Sequence, residues 1–289
     1  MKKCRKNLFN SWEDRLVVFM PHMIHVTLIP ESQLVYEVPS SGRIAQSLFL
    51  RALSCHSRDL ALRVKGEEPK PYSVTRITTS NRNISRYLAF VSPDDYVRVT
   101  FKLLDEDLLN PLIKGITSGK FSINGIPVEV ADITVVSRDY WHILSSTPIA
   151  RGVTFEFRTP AIIGEEFPPP APKILKRAFD AWNKYSGIRI PESLFKRLYW
   201  AEPSLPMLLQ SDSVKLPFNG QRISLIGYRG VVSYSFRRFK AQEGAIFASL
   251  ARFVEFSGVG RRTSMGFGMT RVRLWKKRPL KREKQLVSA

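Results

Sequence analysis

Apolar positions along this chain switch period in a repeating order. Ile24 to Ile29 is a β-branched run stopped by Pro30, which predicts a first strand. Val38-Pro39-Ser40-Ser41 supplies a turn and a cap, and Ile44 and Leu48 then follow at helical spacing, predicting a helix over about 41–54. Tyr72 to Thr79 reads as a strand, and two further β-like pieces flank Ser92-Pro93-Asp94-Asp95. Asp105 caps a second helix whose apolar face is Leu108, Leu109, Leu112, Ile113 and Ile116, with Pro111 expected to kink it. Asn124-Gly125 then predicts a hairpin turn, because both residues tolerate positive φ.

The same order recurs. Val153 to Arg158 alternates as a half-buried strand, and Gly164 to Pro170 forms a stiff connector. A helix over 172–185 has Ile174, Ala178, Ala181 and Tyr185 on one face. Ile223–Tyr228 and Val231–Phe236 form an expected β-pair around Gly227 or Gly230, followed by a helix over 245–256 and a closing strand over 269–275. Strand, helix, strands, helix, strand, used twice, predicts an α+β chain of two tandem ferredoxin-like (βαββαβ) domains. The expected boundaries are 23–140 and 141–275. Residues 1–22 read as an N-terminal extension or a mis-assigned start, with Met20 or Met23 as the alternative. Residues 276–289 read as a basic tail.

Charge narrows the function. The 289 residues carry a formal net charge of +20, and 44% are hydrophobic, enough for a folded core. From Arg271 onward eight Lys/Arg face one Glu, a net of +7, so the rest of the chain still carries +13. Excess positive charge of this size fits a nucleic-acid partner. The two cysteines, Cys4 and Cys55, form no zinc motif and suit a reducing, cytoplasmic setting. No apolar run approaches the ~18 residues of a membrane span. No phosphate-loop motif, two-metal carboxylate set or zinc spacing is legible, so neither metal nor cofactor is expected.

The sharpest motif lies at 258–268. Gly258-Val259-Gly260 and Gly266-Phe267-Gly268 flank Arg261, Arg262, Thr263, Ser264 and Met265. Glycines permit close backbone approach, loop N–H groups bind anions, and Arg adds bidentate phosphate donors. The motif predicts contact with a nucleic-acid backbone by Gly258, Gly260, Arg261, Arg262, Ser264, Gly266 and Gly268. Arg237 and Arg238 are candidate backbone contacts, and Trp182, Tyr185, Tyr199 and Trp200 are candidate stacking aromatics against a core reading.

Two Gly-apolar-Gly triplets five residues apart resemble the C-terminal signature of the repeat-associated RNA-binding superfamily of CRISPR systems. Within it they look like the endoribonucleases that cut CRISPR precursor RNA within its repeats. That resemblance implies a metal-independent cut by the ribose 2′-OH, leaving a 5′-OH and a 2′,3′-cyclic phosphate. It also implies CRISPR repeat RNA as partner, other Cas proteins of an effector complex, and leaves room for a homodimer. The family's catalytic histidine falls here at Lys65, its lysine at Lys70 and its tyrosine at Leu50, beside Arg51. The pattern therefore departs from the family's usual triplet. His56 is the competing general acid–base, whereas His22 sits in the leader, His25 in a strand and His142 at the domain join. The catalytic candidates are Arg51, His56, Lys65 and Lys70. A non-catalytic RNA-binding subunit of the same superfamily is the main rival, and a basic RNA-binding protein of translation is a third reading.

Overall fold

The computed structural model describes residues 19–80, 87–218 and 221–276. In the N-terminal half, strand β1 is His22–Pro30, β2 Leu34–Glu37, helix α1 Ser41–His56, α2 Arg58–Gly66, β3 Tyr72–Val74, β4 Thr78–Thr79, β5 Leu88–Val91, β6 Val97–Leu103, α3 Leu109–Ser118, β7 Phe121–Ile123 and β8 Ile126–Ser137. The C-terminal half holds α4 Tyr140–Ser146, β9 Ala150–Ala161, α5 Ala171–Tyr185, α6 Glu192–Lys196, β10 Glu202–Phe218, β11 Gln221–Ser235, α7 Ala241–Ser257 and β12 Thr270–Lys276.

The main sheets run β3-β6-β1-β8 and β10-β11-β9-β12. Both are antiparallel throughout. Each places its first strand centrally, between the third and the fourth, which is the βαββαβ order. The chain is thus α+β with two tandem ferredoxin-like domains, as the alternating pattern predicts. β7 adds a strand beside β8, and β2 pairs with β5 in a separate ribbon.

Local chemistry explains the elements. β1 alternates strictly, with His22, Ile24, Val26 and Leu28 buried. α1 buries Ala45, Leu48, Phe49, Ala52 and Leu53, a single helical stripe. Asn124 (φ 50°) and Gly125 (φ 84°) make the β7–β8 turn. In the second domain, Trp182 is fully buried and packs edge-on against Tyr140 and Phe253, with centroids 5.2 and 5.3 Å away. The Tyr140 hydroxyl donates to the Leu104 carbonyl at 2.9 Å, tying the end of β6 to the second core.

Several expectations need correction. His22 is not leader but the buried first residue of β1, with Nδ1 2.7 Å from Ser137 Oγ. The segment expected as one strand over 72–79 breaks into β3 and β4, and α2 is a helix of its own, capped by Ser57. Pro111 lies in the first turn of α3, where its missing N–H costs nothing, so no kink arises. Val153–Arg158 of β9 alternates as expected, with Val153, Phe155 and Phe157 in the core, Glu156 half-buried and Arg158 exposed, and only Thr154 is more buried than the pattern predicts. Residues 223–236 are no hairpin. β11 runs unbroken through Gly227, and Gly230 (φ 103°) sits at a bulge where a Cβ would lie 2.0 Å from the Leu208 carbonyl. Its partner β10 goes unread because Pro203, Pro206 and Pro217 argue against a strand. β10 lies at the sheet edge, where proline is tolerated, and its register slips between Ser204 and Leu208.

Gly42 tests the packing of the halves. A Cβ there would stand 2.0 Å from the Met265 carbonyl, whereas a Cβ on Gly66 would meet nothing within 4 Å. Gly42→Ala is expected to lower stability by about 1–3 kcal/mol, with Gly66→Ala neutral or slightly stabilising. Denaturant midpoints of the two variants check this, and equal midpoints would refute the close packing.

Candidate nucleic-acid interface

The C-terminal end of α7 generates the site. Its last carbonyls are orphaned by helix geometry and carry the negative end of the helix dipole. Three side chains meet them. Lys102 Nζ from β6 donates to the Glu255 carbonyl at 2.5 Å, Ser73 Oγ from β3 to Phe256 at 2.7 Å, and Arg177 Nε from α5 to Ser257 at 2.8 Å. The Arg177 fork also donates to the Lys70 and Tyr72 carbonyls, each at 3.2 Å. Burial pushes the Arg177 guanidinium down to about 10 and the Lys102 ammonium down to about 8.

The glycine-rich loop leaves α7 from this anchored end. Gly258, Gly260, Arg262, Gly266 and Gly268 all take positive φ, between 61° and 76°. The loop folds back along the end of β9. Arg261 N donates to the Ile162 carbonyl at 2.9 Å, Gly268 N to Pro160 at 2.9 Å, and Val259 N to the Gly268 carbonyl at 3.0 Å. A Cβ on Gly268 would stand 1.9 Å from the Val259 carbonyl, and one on Gly260 2.4 Å from the Ile162 carbonyl. One on Gly266 would press against Gly42 and Arg76.

This corrects the reading of the loop as exposed main chain laid against RNA. Gly258, Gly266 and Gly268 are buried, Gly260 is half-buried, and many of the loop N–H groups are spent inside the protein. Their glycines let the loop wedge between the first turn of α1 and the end of β9. Ser264 is buried as well. Gln46 Nε2 donates to Ser264 Oγ and to the Tyr72 hydroxyl, both at 3.2 Å, and burial raises the Tyr72 phenol. What the wedge leaves exposed is Arg261 and Arg262 at its crest, with exposed Arg43 one residue past Gly42, which packs on Met265.

The remaining candidates divide. Arg51 is exposed on α1, and its guanidinium donates to Ser122 Oγ at 3.3 Å. It lies nine residues past Gly42, about 14 Å along the helix axis, on the same solvent stripe as Arg43 and Ser47. His56 is exposed at the end of α1 and Lys65 is exposed on α2. Lys70 is committed elsewhere. Its ammonium donates to the Lys65 and Glu67 carbonyls at 2.8 and 2.9 Å and pairs with Glu68 at 2.9 Å, so it caps the C-terminus of α2. A free catalytic ammonium at Lys70 is therefore not what the structure holds. Arg237 and Arg238 lie just before α7, the latter 2.6 Å from Glu202. The 17 residues of α7 put them about 25 Å from the loop, so they do not join it. Trp182 and Tyr185 are core residues, whereas Tyr199 and Trp200 are exposed, with Arg197 stacked on Trp200. Most of the basic tail, 277–289, lies outside the described residues.

Sequence reading missed Arg43, Gln46, Tyr72 and Arg76. Arg43 and Gln46 carried a signal, since both lie on the helix expected to flank the site. Tyr72 and Arg76 carried none, because only tertiary packing brings β3 to the loop. Among the described residues no group of three or more His, Cys, Asp or Glu has metal-binding geometry, and no helix is long and apolar enough to cross a membrane.

Comparison with known proteins agrees with the resemblance carried by the loop. Residues 155–270 match the family described as CRISPR-associated endoribonuclease Cas6. A Cas6 product complex superposes with a TM-score of 0.69 at 18% identity, over 88% of this chain and 99% of that one. Thermus thermophilus Cas6 gives 0.62 at 16% identity over 88% and 99%, and a Cas6-related protein from Pyrococcus furiosus 0.56 at 14% over 88% and 98%. No curated protein sequence matches the chain.

If the helix end is the anchor of the wedge, removing its caps loosens the fold. Arg177→Met and Ser73→Ala are each expected to cost about 1–3 kcal/mol, the larger loss falling on the charged donor. Urea titration of both variants checks the ranking. A Ser73→Ala loss exceeding that of Arg177→Met would contradict it.

Proposed function

We propose that this Cas6-like chain is a CRISPR repeat-RNA endoribonuclease, binding precursor RNA along the seam between its two ferredoxin-like domains and cutting it within the repeat. The observation that carries the reading is the loop at 258–268. It lies within the Cas6-matching segment and presents Arg261 and Arg262 to solvent, with exposed Arg43 one residue past the Gly42 that packs on it. Guanidinium forks of this kind suit phosphate oxygens, and the net charge of +20 supplies sequence-independent attraction.

The chemistry proposed is metal-independent transesterification. The ribose 2′-oxygen loses its proton to a base and bonds to the adjacent phosphorus. The bond from phosphorus to the 5′-oxygen breaks, and that oxygen takes a proton. The products are a 2′,3′-cyclic phosphate and a 5′-OH. Arg51 and Lys65, both exposed, suit stabilisation of the phosphorane charge and proton transfer, with His56 as the alternative acid–base. Guide RNA made this way fits hand-over to other Cas proteins.

A second reading has its own support. Lys70 is held by α2 and Glu68, and His56 sits at the end of α1 remote from the loop, so the family's catalytic triplet has no full counterpart. On that reading the chain is a non-catalytic RNA-binding subunit of a CRISPR effector complex. Incubating the protein with repeat RNA in EDTA separates the two. The nuclease leaves a discrete cut with a cyclic-phosphate end, whereas the subunit binds without cutting.

Residue roles are tested under single-turnover conditions. Arg51→Ala and Lys65→Ala are expected to slow cutting by about 10²–10⁴-fold with little change in affinity. Arg261→Ala and Arg262→Ala are expected to weaken binding instead. Unchanged cutting in the first pair removes the site placement, and unaltered affinity in the second removes the loop's role in holding RNA.

A further inference from the structure

Two arginines, one from each domain, flank the Phe267 side of the glycine loop, and no acid is shared between them. Arg76 follows β3 in the N-terminal domain. Its guanidinium lies over the Phe267 ring, 5.6 Å from the centroid, and its Cγ and backbone sit against Gly266. Stacking on Phe267 fixes the plane of the fork. Arg76 Nε is shielded from solvent and has no hydrogen-bond partner among the described residues. Phe267 in turn clusters with Ile162, Val214 and Leu225, so this stack abuts the face of the β10–β11 ribbon that also carries Arg229 of the C-terminal domain.

Arg229 sits at a special place in its sheet. β9 pairs with β11 up to Tyr228 through a register shift between Tyr228 and Gly230, and beyond Tyr228 β11 continues with β10 alone. Arg229 is half-exposed and lies 3.1 Å from Asp212 across the β10–β11 ladder. Asp212 is equally exposed, so this surface ion pair is worth little and yields to a better acceptor. Two cations from different domains flank the same aromatic cluster, each with a shielded Nε that makes no hydrogen bond, and this arrangement suits an anion between them.

We infer that Arg76 and Arg229 close on a single phosphodiester of the bound RNA where the strand crosses from the loop to the base of the β10–β11 ribbon. A phosphate offers enough lone pairs to accept from both forks at once. The contact is backbone-only and carries no sequence information. It also gives the bound strand a part in closing the seam, since the anion removes the repulsion between cations that belong to different domains. The inference rests on the RNA-binding reading above and specifies one contact within it.

The test measures RNA affinity against salt by fluorescence anisotropy, using repeat RNA and a scrambled strand of equal length. Arg76→Met and Arg229→Met are each expected to lose about tenfold in affinity on both RNAs and to lower the salt slope by about one. Because both side chains serve one phosphate, the double variant is expected to lose little more slope than either single. Arg76→Lys keeps the charge but not the fork, and is expected to keep the slope while losing affinity. Thermal melts confirm folding, and Arg229→Met with Arg76→Lys carry the test should Arg76→Met unfold. Unchanged affinity and slope in the arginine variants overturn the clamp while leaving RNA binding intact. Two full units of slope lost in the double variant overturn the shared phosphate. Loss on repeat RNA alone marks a base contact and overturns it too. Wild-type protein that binds neither RNA overturns the proposed function and the clamp together.

Discussion

The architecture depends on how the C-terminal end of one helix is satisfied. α7 ends with carbonyls that helix geometry leaves without backbone partners, at a point where Phe256 and Ser257 are buried. Lys102 and Ser73 reach them from the first domain, and Arg177 reaches them from α5. Each donor comes from a different element, so the helix end knits β3, β6 and α5 at one point. That knot sets the angle at which the glycine-rich loop departs, and hence which of its residues face solvent.

The loop then inverts the simplest expectation about glycine. Its glycines do not bare the main chain to a ligand. They remove side chains that would collide with Ile162, Val259, Gly42 and Arg76. The polypeptide can therefore run as a thin wedge between the domains. The surface proposed to meet RNA stands on the wedge, with Arg261 and Arg262 outside and Phe267 inside as a platform for Arg76. Packing falls to the glycines and the proposed recognition to the adjacent Arg261 and Arg262 of the same eleven-residue stretch. Substitution of a glycine should thus act on fold first, and substitution of an arginine on ligand.

The candidate site extends from this wedge along α1 rather than forming a pocket. The helix presents Arg43, Ser47 and Arg51 on one solvent stripe, leading from the loop to Ser122 of β7. A linear array of cations on rigid elements suits a strand-like polyanion better than a compact metabolite. Lys70 shows the other fate of a cation in so basic a chain. It is consumed in capping α2, a reminder that formal charge counts donors without saying which are free.

Sequence alone determined the fold class, most elements of the first domain and the residue content of the loop. Alternation in β1, the apolar stripe of α1, Asn124-Gly125 and the spacing of the glycine pairs are local signals, because each reflects backbone geometry or burial within a few residues. They sufficed for two ferredoxin-like units and a strongly basic chain. Tertiary structure decided everything that needs two distant segments to meet. β10 escaped notice because its prolines are tolerable only at a sheet edge, and an edge exists only once the sheet is assembled. Tyr72 and Arg76 gained their place from β3 docking against the loop, and Lys70 lost its freedom to the end of α2. Local propensity is written in the chain residue by residue. Which donors remain unpaired is a property of the packed whole.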